Sequence, residues 1–101
     1  MREAEPRLSI QTLKVLTAFL RAPRNNLSGA DIGRETKLAS GTLYPILLRL
    51  EEAGWLHSRW EEQSPHTLKR PRRRMYQITA IGEKKALNAF HEVEMLKEAF
   101  A

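Results

Sequence analysis

Apolar residues recur along this chain with two different periods, and the switch between them divides it. From Leu8 to Ala22 they fall at Leu8, Ile10, Leu13, Leu16, Phe19 and Leu20, which is helical spacing. Ser9 is placed to cap this first helix, and Pro23, Asn25 and Asn26 end it. A second, short helix is predicted over 29–36, with Ala30, Ile32 and Gly33 turned inward. Ser28 and Asp31 stand three residues apart and approximate a capping box at its start. Ser40 is the predicted N-cap of a third helix over 41–53, whose apolar face is Leu43, Ile46, Leu47 and Leu50. Pro45 lies about one turn in, where it bends a helix mildly rather than breaking it. Gly54 stands where a left-handed residue closes a helix.

After Gly54 the period changes. Trp55–Glu61 and Arg74–Thr79 are rich in aromatic and β-branched residues and predict two strands of a hairpin. Thr79 is placed to cap a final helix over 80–100, along which Leu87, Phe90, Val93, Leu96 and Phe100 step by three and four. The order helix, helix, helix, strand, loop, strand, helix is that of a winged helix-turn-helix with an added C-terminal helix, so the fold class is mainly α with a small β-hairpin. In a helix-turn-helix the later helix reads the DNA. The division expected is a winged helix-turn-helix over 1–79, with the reading helix at 41–53 and the wing at 61–74, and a C-terminal dimerisation helix over 80–101. Residues 1–7 are polar and expected to fray.

Charge changes this picture from a fold to a partner. The chain has 17 Lys and Arg against 12 Asp and Glu, a net +5. Lys69, Arg70, Arg72, Arg73 and Arg74 supply all of that excess within six residues, inside the wing. Concentrated positive charge attracts phosphate because neutralising phosphates releases condensed counterions. A solvated basic loop is the plainer reading, but Glu61 and Glu62 are too few to neutralise five cations. Composition removes other classes. The absence of cysteine excludes disulfides, thiolate metal sites and a Cys nucleophile, and it fits a reducing cytoplasm. Met1–Pro6 is charged and is not a signal peptide, and no stretch approaches the ~18 apolar residues of a membrane span. His57, His66 and His91 are scattered without metal-ligand spacing. No cofactor, metal or catalytic grouping is expected, and the chain is not expected to be an enzyme. At 101 residues it holds one modest core, so an apolar surface helix is expected to mark a dimer interface.

Leu43-Tyr44-Pro45 followed by Leu47, Arg49-Leu50-Glu51 and Gly54 resembles the reading-helix signature of PadR-type transcriptional regulators. Tyr76-Gln77-Ile78-Thr79-Ala80-Ile81-Gly82 resembles the strand-to-helix signature of the same family, and Arg70-Pro71-Arg72 resembles its wing. The likeness covers about residues 10–90. It implies a dimeric, DNA-binding repressor on pseudo-palindromic sites, with dimerisation through the C-terminal helix packed with the first. A single such helix matches the family's shorter form. Leu48 stands where the family often has a basic or polar residue, the wing lacks a tip glycine, and 61–68 matches no family pattern.

These readings select the DNA-binding candidates Ser40, Thr42, Tyr44 and Arg49 on the third helix and Lys69, Arg70, Arg72, Arg73 and Arg74 in the wing. Ser40 has the competing role of N-cap, Tyr44 that of a half-buried aromatic, and Arg49 that of a surface ion pair. Arg34 and Lys37 are weaker candidates for phosphate. The dimer seam is assigned to Leu87, Phe90, Val93, Leu96 and Phe100. Trp55 and Trp60 are read as core and sheet packing; the alternative, suggested by the family, is a lining for a small aromatic effector, to which Phe90, Met95 and Phe100 could add. The reading that competes with DNA binding is a winged-helix module for protein or RNA, and such domains usually lose the basic wing that this chain keeps.

Overall fold

Ser9 accepts the Thr12 N–H at 3.2 Å and opens α1 (Ile10–Leu20), whose inward face carries Val15, Leu16 and Phe19. The computed structural model describes residues 5–100; positions 1–4 of the segment expected to fray, and Ala101, lie outside the described residues. After β1 (Leu27–Ser28), α2 spans Gly29–Thr36 and starts on a complete capping box: Ser28 Oγ accepts the Asp31 N–H at 3.1 Å, and Asp31 accepts the Ser28 N–H at 2.9 Å. Two orphan donors of the first turn are thereby satisfied. Ile32 is fully buried, whereas Ala30, expected inward, is exposed because Gly29 takes the buried position at the helix start.

α3 runs Ser40–Glu52, one residue earlier than its apolar pattern indicates. The N-cap is Ala39, not Ser40. Ala39 is extended, and its carbonyl already accepts from the Thr42 and Leu43 N–H groups, so the helical ladder begins before Ser40 can cap it. Leu43, Ile46, Leu47 and Leu50 form the buried stripe as expected. Pro45 sits in the helix, and Gly54, at φ +80°, turns the chain out of it. Leu16, Phe19, Ile32, Leu47 and Leu50 meet at the centre of one core with Trp55 and Leu56. Each such side chain contributes about 1.5–3 kcal/mol by leaving water.

The sheet has three strands, not two. β2 (Leu56–Trp60) and β3 (Arg74–Ile78) pair antiparallel with Leu56 opposite Ile78 and Trp60 opposite Arg74, and β1 lies on the other edge of β3 with Leu27 opposite Tyr76. Between β2 and β3 the wing contains a single helical turn, α4 (Pro65–Leu68), capped by Ser64 and closed by Lys69 in the left-handed region. Trp55 is core, as expected. Trp60 is not: it shares a face with Leu56 and Ser58, but it ends the strand, lines an open cleft, and is 56% exposed.

The corner between β3 and α5 (Ala80–Ala99) explains why a Thr and a Gly stand three residues apart. The Thr79 N–H donates to the Trp55 carbonyl at 2.9 Å, and its hydroxyl donates to the Gly54 carbonyl at 2.7 Å. The same hydroxyl accepts the Gly82 N–H at 3.0 Å. Gly82 presses on the Trp55 backbone so closely that an added Cβ would stand 2.2 Å from its carbonyl oxygen. A backbone group cannot swing aside as a side chain can. Gly82→Ala is therefore expected to cost on the order of 3 kcal/mol, read as a lower urea midpoint; an unchanged midpoint would show that the corner relaxes freely.

Only the first half of α5 packs on its own domain, through Gly82, Ala86 and Ala89. Phe90 is half-buried against the core, and residues 91–100 are all exposed. At 100° per residue, Val93, Leu96 and Phe100 continue the stripe of Gly82, Ala86 and Ala89. No other described part of the chain covers them, and Phe100 is 87% exposed. Leu87, exposed, lies about 100° round the helix from Ala86, to one side of that stripe.

Candidate nucleic-acid interface

α3 turns a continuous face to solvent. At 100° per residue, Gly41, Pro45 and Leu48 run along its middle, with Thr42 and Tyr44 on opposite edges. All five are exposed. Ser40, freed from capping, is exposed on the Tyr44 side. Arg49 lies on the Thr42 side and borders a depression lined by Pro6, Arg7 and Thr12, so it faces the N-terminal segment rather than the wing. Leu48, 58% exposed, puts an apolar surface where a polar contact would otherwise stand.

Tyr44 leans from α3 across the start of α2. A Cβ on Gly29 would meet its hydroxyl oxygen at 2.3 Å and its Cζ at 2.8 Å, so the absent side chain at Gly29 is what lets the ring lie there. Facing it across a cleft of about 420 Å³ stand Trp60, Arg72, Arg73, Arg74 and Tyr76. α3, the α2 N-terminus and the wing thus share one concave surface.

The five wing cations are not equivalent. Arg70 forms a two-pronged pair with Glu61, both N–H···O distances being 3.0 Å. This bond to Arg70 is the main reason the Glu61 carboxyl is held below the usual carboxylate range. Arg74 is tied to the body of the domain: its Nε donates to Ser58 Oγ at 2.9 Å, its guanidinium lies 3.7 Å from Glu51, and it stacks on the Trp60 ring at 5.3 Å. Ser58 in turn donates to Glu51 at 2.5 Å, so one polar network joins α3 to both strands of the wing. Among the described residues, Lys69, Arg72 and Arg73 have no carboxylate partner; Arg72 donates only to the Gln63 carbonyl, at 2.9 Å. Of the weaker candidates, Arg34 pairs with Asp31, and Lys37 closes α2 in the left-handed region.

Asp31 is held below its ordinary range first by the Ser28 backbone N–H, with Arg34 and Arg73 adding, so it stays ionised and the capping box stays closed. Burial raises the Tyr76 phenol, helped by Glu51 and opposed by Arg74, so its hydroxyl keeps its proton and remains a donor. Trp60, Tyr76 and the start of α2 are singled out in the sequence for packing, family signature and capping, not as parts of a DNA-facing surface. The signal for the cleft is an aromatic in each strand flanking the basic run, Trp60 at the outer end of β2 and Tyr76 in the middle of β3.

A family model described as "Transcriptional regulator PadR-like family" matches residues 29–88. No curated protein matches the chain. Among solved structures, smu.1704 from Streptococcus mutans UA159 is 28% identical, with a TM-score of 0.69 over 87% of this chain and 79% of that one. A PadR family transcriptional regulator from Eggerthella lenta DSM 2243 is 20% identical, with a TM-score of 0.71 over 90% of this chain and 81% of that one. The PcaV transcriptional regulator from Streptomyces coelicolor, solved with its natural ligand, is 18% identical at a TM-score of 0.74; the match covers 92% of this chain but 60% of PcaV. The last two likenesses are of fold. Among the described residues no helix is long and apolar enough to cross a membrane.

Proposed function

The chain belongs to the PadR-like family of transcriptional regulators, and from that premise we propose that it acts as a homodimeric repressor on a pseudo-palindromic operator. Membership makes it a DNA-binding transcription regulator, a class of transcription factors rather than enzymes. In the proposal, residues 1–79 bind DNA and 80–101 dimerise. Two copies of α3 dock in successive major grooves, about 34–36 Å apart, and repression follows from occupying promoter DNA. The observation that carries this reading is that Arg72 and Arg73, which have no carboxylate partner among the described residues, share a cleft with Tyr44 of α3.

Labour divides between the two elements. The wing supplies charge, and arginine there also suits a narrow minor groove. Ser40, Thr42 and Tyr44 in the first turns of α3 supply contacts to base edges and nearby phosphates, and a Thr methyl packs on a thymine methyl. Arg49 plays the smaller part its position allows.

Thr42→Ala and Tyr44→Phe test the division. A lost base contact costs about 1–3 kcal/mol of discrimination. Each variant should therefore lower the ratio of operator to random-duplex affinity about tenfold, measured by fluorescence anisotropy, with random-duplex affinity unchanged. Equal losses on both duplexes would make these residues phosphate contacts, and no loss on either would take α3 off the DNA.

A further inference from the structure

The middle of the exposed face of α3 carries no polar side chain until its last turn. Gly41, Pro45 and Leu48 lie in line along it, and only Glu52, one turn further on, returns charge to the stripe. Reading purine edges in the major groove takes Arg or Lys for guanine and Asn or Gln for adenine. Arg49 is the sole residue of those four types in α3, and it borders the N-terminal segment. The fold gives no reason for the leucine: α3 buries Leu43, Ile46, Leu47 and Leu50, and Leu48 stays 58% exposed. It gives none for the glycine either. A Cβ on Gly41 would meet nothing within 4 Å, and its φ is not left-handed. Alanine would be the better helix former there. A bare backbone on an open helix face does serve close approach to a ligand.

We infer that Gly41, Pro45 and Leu48 form an apolar rib that lies against the base edges, and that Leu48 reads the C5-methyl group of a pyrimidine. The inference rests on the DNA reading proposed above. Among the donors and acceptors of the major groove, the thymine methyl is the apolar group on display. Gly41 lets the first turn of α3 sit low in the groove. Pro45 offers only carbon and has no backbone N–H to satisfy. Leu48 stands about 10 Å along the axis from Gly41, which is roughly three base steps of ~3.4 Å. The recognised feature is the methyl and not the base, so 5-methylcytosine paired with guanine satisfies Leu48 as thymine paired with adenine does.

The test removes single methyl groups and leaves base pairing intact. In the operator recovered from a random pool, each thymine is replaced in turn by deoxyuridine, in both half-sites at once. Affinities are read by fluorescence anisotropy for the wild type and for Leu48→Ala, whose circular dichroism confirms its fold. Burying one methyl group changes an affinity about fourfold, so deoxyuridine opposite Leu48 should weaken the wild type about fifteenfold over two half-sites. At the same position 5-methylcytosine should bind about fifteenfold tighter than cytosine. In Leu48→Ala both differences should vanish. Gly41→Ala should melt no lower than the wild type, yet bind the operator at least about tenfold more weakly, because the added methyl holds the helix off the bases. An operator in which no thymine responds overturns the methyl reading. So does 5-methylcytosine no better than cytosine, or a deoxyuridine loss that persists in Leu48→Ala, which would put the methyl against Thr42. Undiminished operator affinity in Gly41→Ala overturns the close approach. Wild-type preference for operator over a random duplex is measured first; its absence fails the DNA reading itself, and this inference falls with it.

Discussion

Replacing Lys69, Arg72 and Arg73 together by Gln should flatten the salt dependence of DNA binding by about 2.7 per protomer in the slope of log affinity on log salt. Each neutralised phosphate contributes about −0.9 to that slope on duplex DNA. A dimer would lose six contacts, and with them the roughly thousandfold drop in affinity that such a number produces between 50 and 200 mM salt. Specific and random duplexes should weaken alike. Counting all five cations of the run would nearly double the effect, but Arg70 is spent on Glu61 and Arg74 on Ser58, Glu51 and Trp60. Arg70→Gln and Arg74→Gln should accordingly each move the slope by well under the ~0.9 per protomer of a phosphate contact. Their effect should appear instead as a small loss in stability, since partly exposed pairs are worth little. Fluorescence anisotropy across a salt series reads all of these, and an unchanged slope in the triple variant would take the wing off the DNA.

Val93→Asp combined with Leu96→Asp should convert the protein to a monomer and lower its affinity for a two-half-site duplex at least about a hundredfold, because linked half-sites gain ~10²–10⁴ from a shared effective concentration. The reason lies in α5. Its inward stripe of Gly82, Ala86 and Ala89 continues as Val93, Leu96 and Phe100 past the point where the described residues of this chain supply anything to pack against. A second copy would cover it. Both positions are exposed in the single chain, so the monomer should keep its circular dichroism and its affinity for one half-site. Light scattering at micromolar concentration decides it; a variant that stays dimeric puts the seam elsewhere.

The elements that local chemistry specifies were legible before any coordinates. Helical spacing located α1, α3 and α5; Ser9, Ser28 and Thr79 marked true caps, and Gly54 the end of α3. What escaped depends on partners distant in the chain. Leu27–Ser28 is too short to announce a strand and exists only because β3 lends its free edge. Ser40 has the composition of a cap, but the capping position belongs to whichever residue is extended with a carbonyl already engaged, and that is Ala39. The wing run reads as five equal charges, because nothing local announces which cation Glu61 pairs with, or that Glu51 reaches Arg74 from α3. For the same reason Trp60 reads as sheet core: alternation gives the face, not whether that face is filled or opens onto a cleft.

Selection of bound sequences from a random duplex pool most directly tests the central claim, that two copies of α3 read one operator while the wings hold its backbone. The expected product is an inverted repeat whose half-site centres lie one helical turn, about 10–10.5 base pairs, or a multiple of it apart. Recovery of a single unrepeated half-site, or of no enriched sequence despite tight salt-sensitive binding, would contradict it.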